Sequence, residues 1–466
     1  MRKYDQYKKP VMSLAALAII AALTAIYGYV WYTSYANSLE VPFWRRGNYV
    51  VIGIYALISY FFMKMYGGFK IGYLRAFEVL YSQIFAVLCT NFITYLQMCL
   101  IGRWSFGEHC LPMMVMTVID LMVVLAWIIL VRWAYIKLFP PRNLLMVYGD
   151  YKTDDIVRNM ASRADKYNIV ETVSAYTDLE VIKEMIPNYE GILLADLSAG
   201  IRNKLLKHCF EKNVRCYCIP KISDIMIMSA EDIHLFDTAL LLFRNQGLTP
   251  MQRFVKRAFD IAVSSVLLLL TAPIFAIIAI AIKAYDGGPV FFTQDRLTQD
   301  ERVFKILKFR SMKVSDGKGE YQLTRKDDDR ITPVGHILRR SHFDELPQLI
   351  NIFLGDMSIV GPRPEVPEIA EKYREIIPEF HFRLKVKAGL TGFAQVYGKY
   401  NTTPYEKLKL DLTYIEKFSF LLDIRLMLLT VKVMFQKETS EGVENWQKTA
   451  AKDNKIERPE KEDKND

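Results

Sequence analysis

The chain has 466 residues, an apolar fraction of 52% and a formal net charge of +9. This length allows two or three domains, and the charge suits either nucleic acid or an anionic membrane surface. Long apolar runs favour the membrane surface over nucleic acid as the partner of this basic chain, so we expect no nucleic-acid partner. The six cysteines lack zinc-ligand spacing and predict free thiols in a reducing compartment.

The first 140 residues predict four transmembrane helices. Each of four apolar runs is close to the roughly 20 residues that cross a bilayer. The runs are Val11–Thr33, Tyr49–Tyr66, Val79–Ile101 and Pro112–Ile136. The basic residues favour a topology with both ends inside the cell, although Arg45 and Arg46 fall in the opposite loop. We interpret Asp120, in the fourth run, as a carboxylate that lies near a helix end or is paired within the bundle. The alternative is a functional intramembrane acid.

Residues 141–249 alternate apolar strands with helical stretches, a pattern typical of a parallel, doubly wound sheet. The predicted strands are Asn143–Gly149, Val170–Tyr176, Gly191–Leu197 and Val214–Ile219, with a helix over Thr153–Asn168. A dinucleotide site would need a glycine-rich turn after the first strand, but Gly149 is followed by Asp-Tyr-Lys. We therefore predict a Rossmann-like domain with no demonstrated cofactor, serving oligomerisation or spacing.

A second apolar feature, over residues 253–284, contains Pro273 near its middle. Proline removes a backbone hydrogen bond and bends a helix. A straight fifth span would place the rest of the chain outside the cell, whereas a re-entrant helix would return it to the cytoplasm. The basic residues on both flanks (Lys256, Arg257 and Lys283) favour re-entry.

Residues 250–436 predict an α/β domain on the cytoplasmic face. Its expected elements are strands over Pro289–Gln294 and Val303–Phe309, a polar loop over Ser315–Arg330, a helical stretch over Ile331–Ile352 broken near Pro347, and a membrane-surface helix over Tyr405–Phe435. The charged tail, 437–466, lacks a core pattern and predicts disorder.

The adjacent acids Asp344 and Glu345 are the strongest chemical signal in this domain. Arg339 precedes them, and Arg363 follows between two prolines. Neighbouring acids suit a divalent cation, and arginine forks match phosphate oxygens. One carboxylate can attack a phosphoryl group while the other binds Mg²⁺. The pattern therefore predicts a phosphate-handling, Mg²⁺-dependent site. We further interpret Gly389 and Gly392 as allowing a ligand to approach the backbone.

Three separated motifs carry a resemblance to a known family. They are KFRSM at Lys308–Met312, DELPQLINIFLGDMSIVGPRP at Asp344–Pro364, and AGLTGFAQVYGK at Ala388–Lys399. In this order they resemble the bacterial sugar transferases known as monotopic polyprenyl-phosphate phosphoglycosyl transferases. The likeness covers about residues 253–435. The preceding four spans and Rossmann-like domain resemble the long form of that family.

The resemblance implies that Asp344 attacks a UDP-sugar, releases UMP and passes a covalently held sugar phosphate to undecaprenyl phosphate. It further implies Glu345 as the Mg²⁺ ligand, Arg339, Arg363 and Lys399 as phosphate-binding residues, Asp423 as a further active-site acid, and Pro273 as the break in the re-entrant membrane helix. Family members often carry arginine where this chain has Lys399, which loses the planar fork.

The same resemblance implies a multi-pass protein of the bacterial inner membrane, forming a homo-oligomer such as a dimer and priming exopolysaccharide, capsule or O-antigen synthesis. Glucose or galactose 1-phosphate is the expected cargo. Two alternatives stay open. A nucleotide-sugar dehydratase or epimerase would need a glycine-rich cofactor turn after residue 250, which we do not find. A non-catalytic scaffold would not need the acids and arginines.

Overall fold

The computed structural model describes residues 5–39, 42–43, 45–104, 107, 109–149, 157, 160–235, 237–243, 247–313, 330–398 and 402–435. The chain forms two compact units, Met1–Ile219 and Pro220–Asp466. Residues 220–249, which the sequence analysis assigns to the Rossmann-like domain, belong to the second unit.

The first unit begins with four long apolar helices that overlap the four predicted spans. They are α1 (Lys8–Val30), α2 (Arg45–Tyr66), α3 (Ala76–Ile101) and α4 (Leu111–Leu138). All four are long and apolar enough to cross a membrane, and each packs against its neighbours. Asp120 is buried and accepts a hydrogen bond of 2.9 Å from Nδ2 of Asn91. This contact confirms the interpretation of a carboxylate paired within the helices.

A four-stranded parallel sheet completes the first unit. Its strands are β1 (Arg142–Tyr148), β2 (Tyr167–Ser174), β3 (Gly191–Ala195) and β4 (Arg215–Cys218), and their order is β2-β1-β3-β4. Helices α5 (Leu179–Met185) and α6 (Ala199–Glu211) connect the later strands. The predicted parallel sheet is confirmed. The predicted helix over Thr153–Asn168 falls largely outside the described residues, and its end is wrong because β2 already begins at Tyr167.

The second unit begins with α7 (Ile222–Ile227), the antiparallel hairpin β5 (Glu231–Leu235) and β6 (Thr238–Leu242), and the long helix α8 (Pro250–Asp286). A second antiparallel pair follows, β7 (Phe291–Leu297) with β8 (Val303–Phe309). The remaining elements are α9 (Pro333–Ser341), α10 (Gln348–Leu354), β9 (Ser358–Val360), α11 (Pro367–Ile376), β10 (Gly389–Thr391), α12 (Phe393–Tyr397), α13 (Pro404–Glu416) and α14 (Phe420–Met434). Strand β10 pairs in parallel with β9.

The largest apolar core of this unit receives side chains from β8, α10, β9, α13 and α14. Leu426 of α14 is fully buried in this core, while Leu421 and Val431 are exposed. The stretch predicted as one membrane-surface helix is two helices, because the chain breaks between α13 and α14. One face of α14 lies in the protein core.

Helix α8 is continuous through Pro273, so the described backbone has no break there, and the predicted re-entrant course stays a prediction. Thr249 caps the helix at its start by accepting a hydrogen bond from the amide of Gln252. Gly287 closes it in a left-handed conformation, φ 70°. The predicted polar loop over Ser315–Arg330 and the tail 437–466 lie outside the described residues, apart from Arg330.

Candidate active site

The acid pair lies on its own short turn between two helices. Helix α9 ends at Ser341, and His342 adopts a left-handed conformation, φ 57°. A single 3-10 turn, Phe343–Glu345, then carries both acids, and α10 begins at Gln348. The sequence pattern predicts a helix break near Pro347. The chain already leaves the helix at His342, before the acids, so neither acid belongs to α9.

Glu345 lies between two cationic side chains that come from distant parts of the second unit. Its Oε1 accepts hydrogen bonds from Nζ of Lys308 at 2.7 Å and from Nη2 of Arg363 at 3.0 Å. Burial alone would raise the pKa of the Glu345 carboxyl, but Arg363 and Lys308 hold that pKa well below its ordinary range. Glu345 is therefore an ionised carboxylate at neutral pH.

Asp344 has the opposite electrostatic environment. Burial raises the pKa of its carboxyl, and the neighbouring Glu345 charge raises it further, while Lys308 and Arg339 oppose the shift. The two adjacent acids therefore have pKa values displaced in opposite directions. Such a separation is typical of paired carboxyl groups that perform different roles in one site.

Lys308 is a residue of this site that the sequence motifs did not single out. It stands in the KFRSM motif near the end of β8 and reaches Glu345 directly. The motif also supports Arg339, whose Nε donates a hydrogen bond of 2.9 Å to Oγ of Ser311. A basic residue at the end of a strand within a recognised motif was the available signal.

Arg363 is carried by a backbone segment that packs tightly on the strand β10 region. A Cβ atom added at Gly389 would clash with the amide nitrogen of Gly361, and one at Gly392 would clash with its carbonyl oxygen. The amide of Gly389 also donates to the carbonyl of Pro362 at 2.9 Å. The interpretation that these two glycines make room for a ligand is therefore wrong. Their missing side chains leave room for the backbone at Gly361, in the segment that carries Arg363.

The structure brings Asp344, Glu345, Arg339 and Arg363 into one neighbourhood and places Asp423 in a different contact network. Asp423 is 1% exposed, and its oxygens accept hydrogen bonds from Lys256 at 2.6 Å and from Tyr414 at 2.8 Å. Its carboxylate is therefore enclosed by protein side chains, and its role as an active-site acid stays a prediction.

Lys399 lies outside the described residues. Pro273 is exposed on α8.

The oxygen donors at this turn fit a magnesium ion that also binds substrate phosphates. Among the described residues, no group of three or more His, Cys, Asp or Glu side chains is arranged to hold a metal. Mg²⁺ usually keeps several waters and binds through one or two carboxylates together with phosphate oxygens. The ionised Glu345 and its neighbour Asp344 supply such a donor set.

Residues 251–437 match the family model described as bacterial sugar transferase. Over 238 residues the chain is 37% identical to the UDP-glucose:undecaprenyl-phosphate glucose-1-phosphate transferase of Escherichia coli K12, an alignment that covers 50% of this chain and 51% of the relative. The chain therefore spans about half the length of that relative.

Two further relatives are matched over more of their own length. One is the UDP-N-acetylgalactosamine-undecaprenyl-phosphate N-acetylgalactosaminephosphotransferase of Aeromonas hydrophila, 30% identical over 301 residues, which cover 63% of this chain and 67% of the relative. The other is an exopolysaccharide production protein of Rhizobium leguminosarum, 41% identical over 191 residues, which cover 39% of this chain and 95% of the relative.

Proposed function

The chain belongs to the bacterial sugar transferase family, and on that basis we propose that it transfers a sugar 1-phosphate from a UDP-sugar to undecaprenyl phosphate. UMP is the other product, and the lipid-linked sugar begins an exopolysaccharide, capsule or O-antigen. The observation that carries the proposal is the acid pair whose pKa values diverge, with Lys308 and Arg363 both on Glu345. The activities named for the relatives support it.

In the first step an oxygen of the Asp344 carboxylate attacks the phosphorus that bears the sugar. The bond from this phosphorus to the oxygen bridging to UMP breaks, and UMP leaves with the electron pair. Asp344 then carries the sugar phosphate as an acyl phosphate. Its place on a short turn before α10 supports this role, because the turn fixes the backbone on both sides of the nucleophile.

In the second step a phosphate oxygen of the polyprenyl lipid attacks the same phosphorus. The acyl phosphate bond breaks and returns the free Asp344 carboxylate, so that a sugar-linked diphosphate lipid is released. Lys308, Arg339 and Arg363 would bind the oxygens that gain charge at phosphorus in both steps. Arg363 is suited to two phosphate oxygens at once, because its guanidinium presents donors in a planar fork.

Glu345 would hold Mg²⁺ in this scheme, and the bound ion would neutralise charge on the diphosphate. Asp344 and Glu345 differ in length by one methylene group, which suits them to different roles in the same site. We assign attack to Asp344 and metal binding to Glu345, because the pKa of Glu345 is the one held low. A permanently ionised carboxylate is the better ligand for a hard cation.

The proposed cytoplasmic placement of this site is supported by the packing of α8. Val263 and Leu267, in its first half, pack against the apolar core formed by β8, α10, β9, α13 and α14. Ile278 and Ile282 of its second half are buried against Phe309 and Leu338. Both halves thus contact the same folded unit, which favours a helix that returns to one side of the membrane over a straight fifth span.

The opposite face of α8 is suited to lipid. Leu269 is 77% exposed and Ile280 is 69% exposed. Exposed apolar side chains on such a helix indicate a membrane contact. The proposed re-entrant or membrane-embedded course of α8 would therefore place the acid pair where a lipid phosphate meets the cytoplasm.

Cysteine labelling tests this topology. Single cysteines at Met251 and Tyr285, near the two ends of α8, are exposed enough to react with a maleimide. In a background in which all six native cysteines are serine, we expect both to resist a membrane-impermeant maleimide in intact spheroplasts and both to react after permeabilisation. A cysteine at Trp104, between α3 and α4, is the control that reacts from outside. Reaction of only one end of α8 from outside would establish a span.

The proposed reaction is tested by release of UMP. Purified protein with Mg²⁺ and undecaprenyl phosphate should release UMP from at least one UDP-sugar in a panel of glucose, galactose, N-acetylglucosamine and N-acetylgalactosamine derivatives. We expect the release to need both Mg²⁺ and, for repeated turnover, the lipid phosphate. A well-folded preparation that releases UMP from none of them would favour the scaffold alternative.

A further inference from the structure

A buried arginine outside the acid pair is held in an unusually complete set of contacts. Arg383, in the 3-10 stretch Pro378–Lys385, is 1% exposed. Its Nε donates a hydrogen bond of 2.8 Å to Oδ2 of Asp411, and its Nη2 lies 2.7 Å from the same oxygen in an ion pair. The same nitrogen, Nη2, donates to the carbonyl oxygen of Arg363 at 2.9 Å, and Nη1 lies 3.4 Å from Oε1 of Glu365. One guanidinium thus joins two acids to the backbone of an active-site residue.

Charge is balanced within this cluster. Arg383 and Lys407 provide two positive charges, and Asp411 and Glu365 provide two negative ones. Burial alone would raise the pKa of Glu365, but Lys407 and Arg383 lower it to about 2. A buried pair is costly to form and more costly to break, since removal of one partner leaves an uncompensated charge. The bond to the Arg363 carbonyl satisfies a buried donor that would otherwise lack an acceptor, and it also fixes the backbone that carries the Arg363 side chain.

That carbonyl belongs to a segment, residues 362–365, in which each backbone carbonyl oxygen accepts a hydrogen bond. The backbone amide of Gly389 donates to the carbonyl of Pro362, and the Arg383 guanidinium donates to the carbonyl of Arg363. Nη1 of Arg296 donates to the carbonyl of Pro364, and the backbone amide of Leu297 donates to the carbonyl of Glu365. Prolines on both sides of Arg363 restrict its backbone further. The segment is therefore fixed along its length, and the contact to Arg363 itself comes from the buried fork of Arg383.

We infer that Arg383 is a positioning residue, which aims the Arg363 side chain at Glu345 and the substrate phosphates by fixing the Arg363 carbonyl. The inference rests on the proposed function for its catalytic consequence. Lysine cannot replace arginine here, because a single ammonium on a flexible stem lacks the planar fork that engages Asp411 and the carbonyl together. A misplacement of about 1 Å at a substrate-binding group can cost about 100-fold in rate.

The test uses Arg383→Lys, with Arg374→Lys as the matched control. Arg374→Lys makes the same chemical change at an exposed position of α11, where Nη1 of the guanidinium lies 3.4 Å from Oε2 of Glu301. Hydrogen–deuterium exchange of a peptide covering residues 358–366 should be several-fold faster in Arg383→Lys and unchanged in Arg374→Lys. Asp411→Asn, which weakens the anchor of Arg383, gives a second measurement if Arg383→Lys does not fold. Equal exchange in all three variants and the native chain would overturn the inference.

Kinetics give an independent readout. We expect Arg383→Lys to lower kcat for UMP release by about 10- to 100-fold. In a chain already carrying Arg363→Lys, the same change should have little further effect, because the group it positions has been altered. Fully additive losses would contradict action through Arg363. The exchange measurement needs no substrate, so a native chain that releases no UMP would count against the proposed function and leave exchange to decide the positioning role.

Discussion

Asp344→Asn should abolish UMP release, with a loss of about 10³-fold or more, because the amide cannot form the acyl phosphate. Asparagine is nearly isosteric, so the turn Phe343–Glu345 and its contacts should persist. The measurement is UMP release from the best UDP-sugar. It is coupled to detection of a sugar-phosphate adduct on the protein by intact mass in the absence of lipid acceptor.

Asp295→Asn is the matched control for this experiment. Asp295 is an exposed acid of the same unit, paired on the surface with Lys305 at 3.1 Å. Its substitution should leave both the rate and the adduct as in the native chain, because exposed pairs contribute little. An Asp344→Asn protein that keeps its turnover and still shows the adduct would place the nucleophile elsewhere.

Glu345→Gln should lower UMP release by about 10- to 100-fold and raise the Mg²⁺ concentration needed for half-maximal rate. The carboxylate is ionised throughout the neutral range because Arg363 and Lys308 hold its pKa low despite burial. The substitution therefore removes a charge that is always present. It also leaves Lys308 and Arg363 without the negative charge that both side chains contact. The measurement is a Mg²⁺ titration of the rate at saturating UDP-sugar.

Glu371→Gln serves as the control, because it removes an exposed carboxylate from α11 of the same unit. It should change neither the maximal rate nor the Mg²⁺ requirement. If Glu345→Gln lowers the rate while the Mg²⁺ requirement stays at the native value, the metal-binding assignment of Glu345 is wrong. Its role would then be limited to holding Lys308 and Arg363.

Sequence patterns predicted the elements whose periodicity is local. Strand β8 was predicted with the bounds that the structure has, and the four spans were located to within a few residues. The parallel sheet followed from alternation of strand and helix. Local signals were also enough to select Asp344, Glu345 and Arg363, because their chemistry is compressed into one stretch of sequence.

The features that sequence patterns did not reveal depend on contacts between distant segments. Lys308 meets Glu345 across 37 positions, and Gly389 meets Gly361 through backbone packing that no periodicity encodes. The left-handed conformation of His342 is uncommon for a residue other than glycine, so Pro347 was the more obvious breaker. Asp423 was selected by likeness, and its burial beside Lys256 follows only from the fold.

The shared contact of Lys308 and Arg363 with Glu345 has a consequence for turnover. The site contains its own counter-anion, so in the proposed reaction an incoming diphosphate would exchange one negative partner for another instead of filling a bare positive pocket. After departure of UMP, the same carboxylate would take back both cations. We therefore expect weak retention of UMP and little product inhibition, since the leaving group competes with an anion that is permanently tethered beside it.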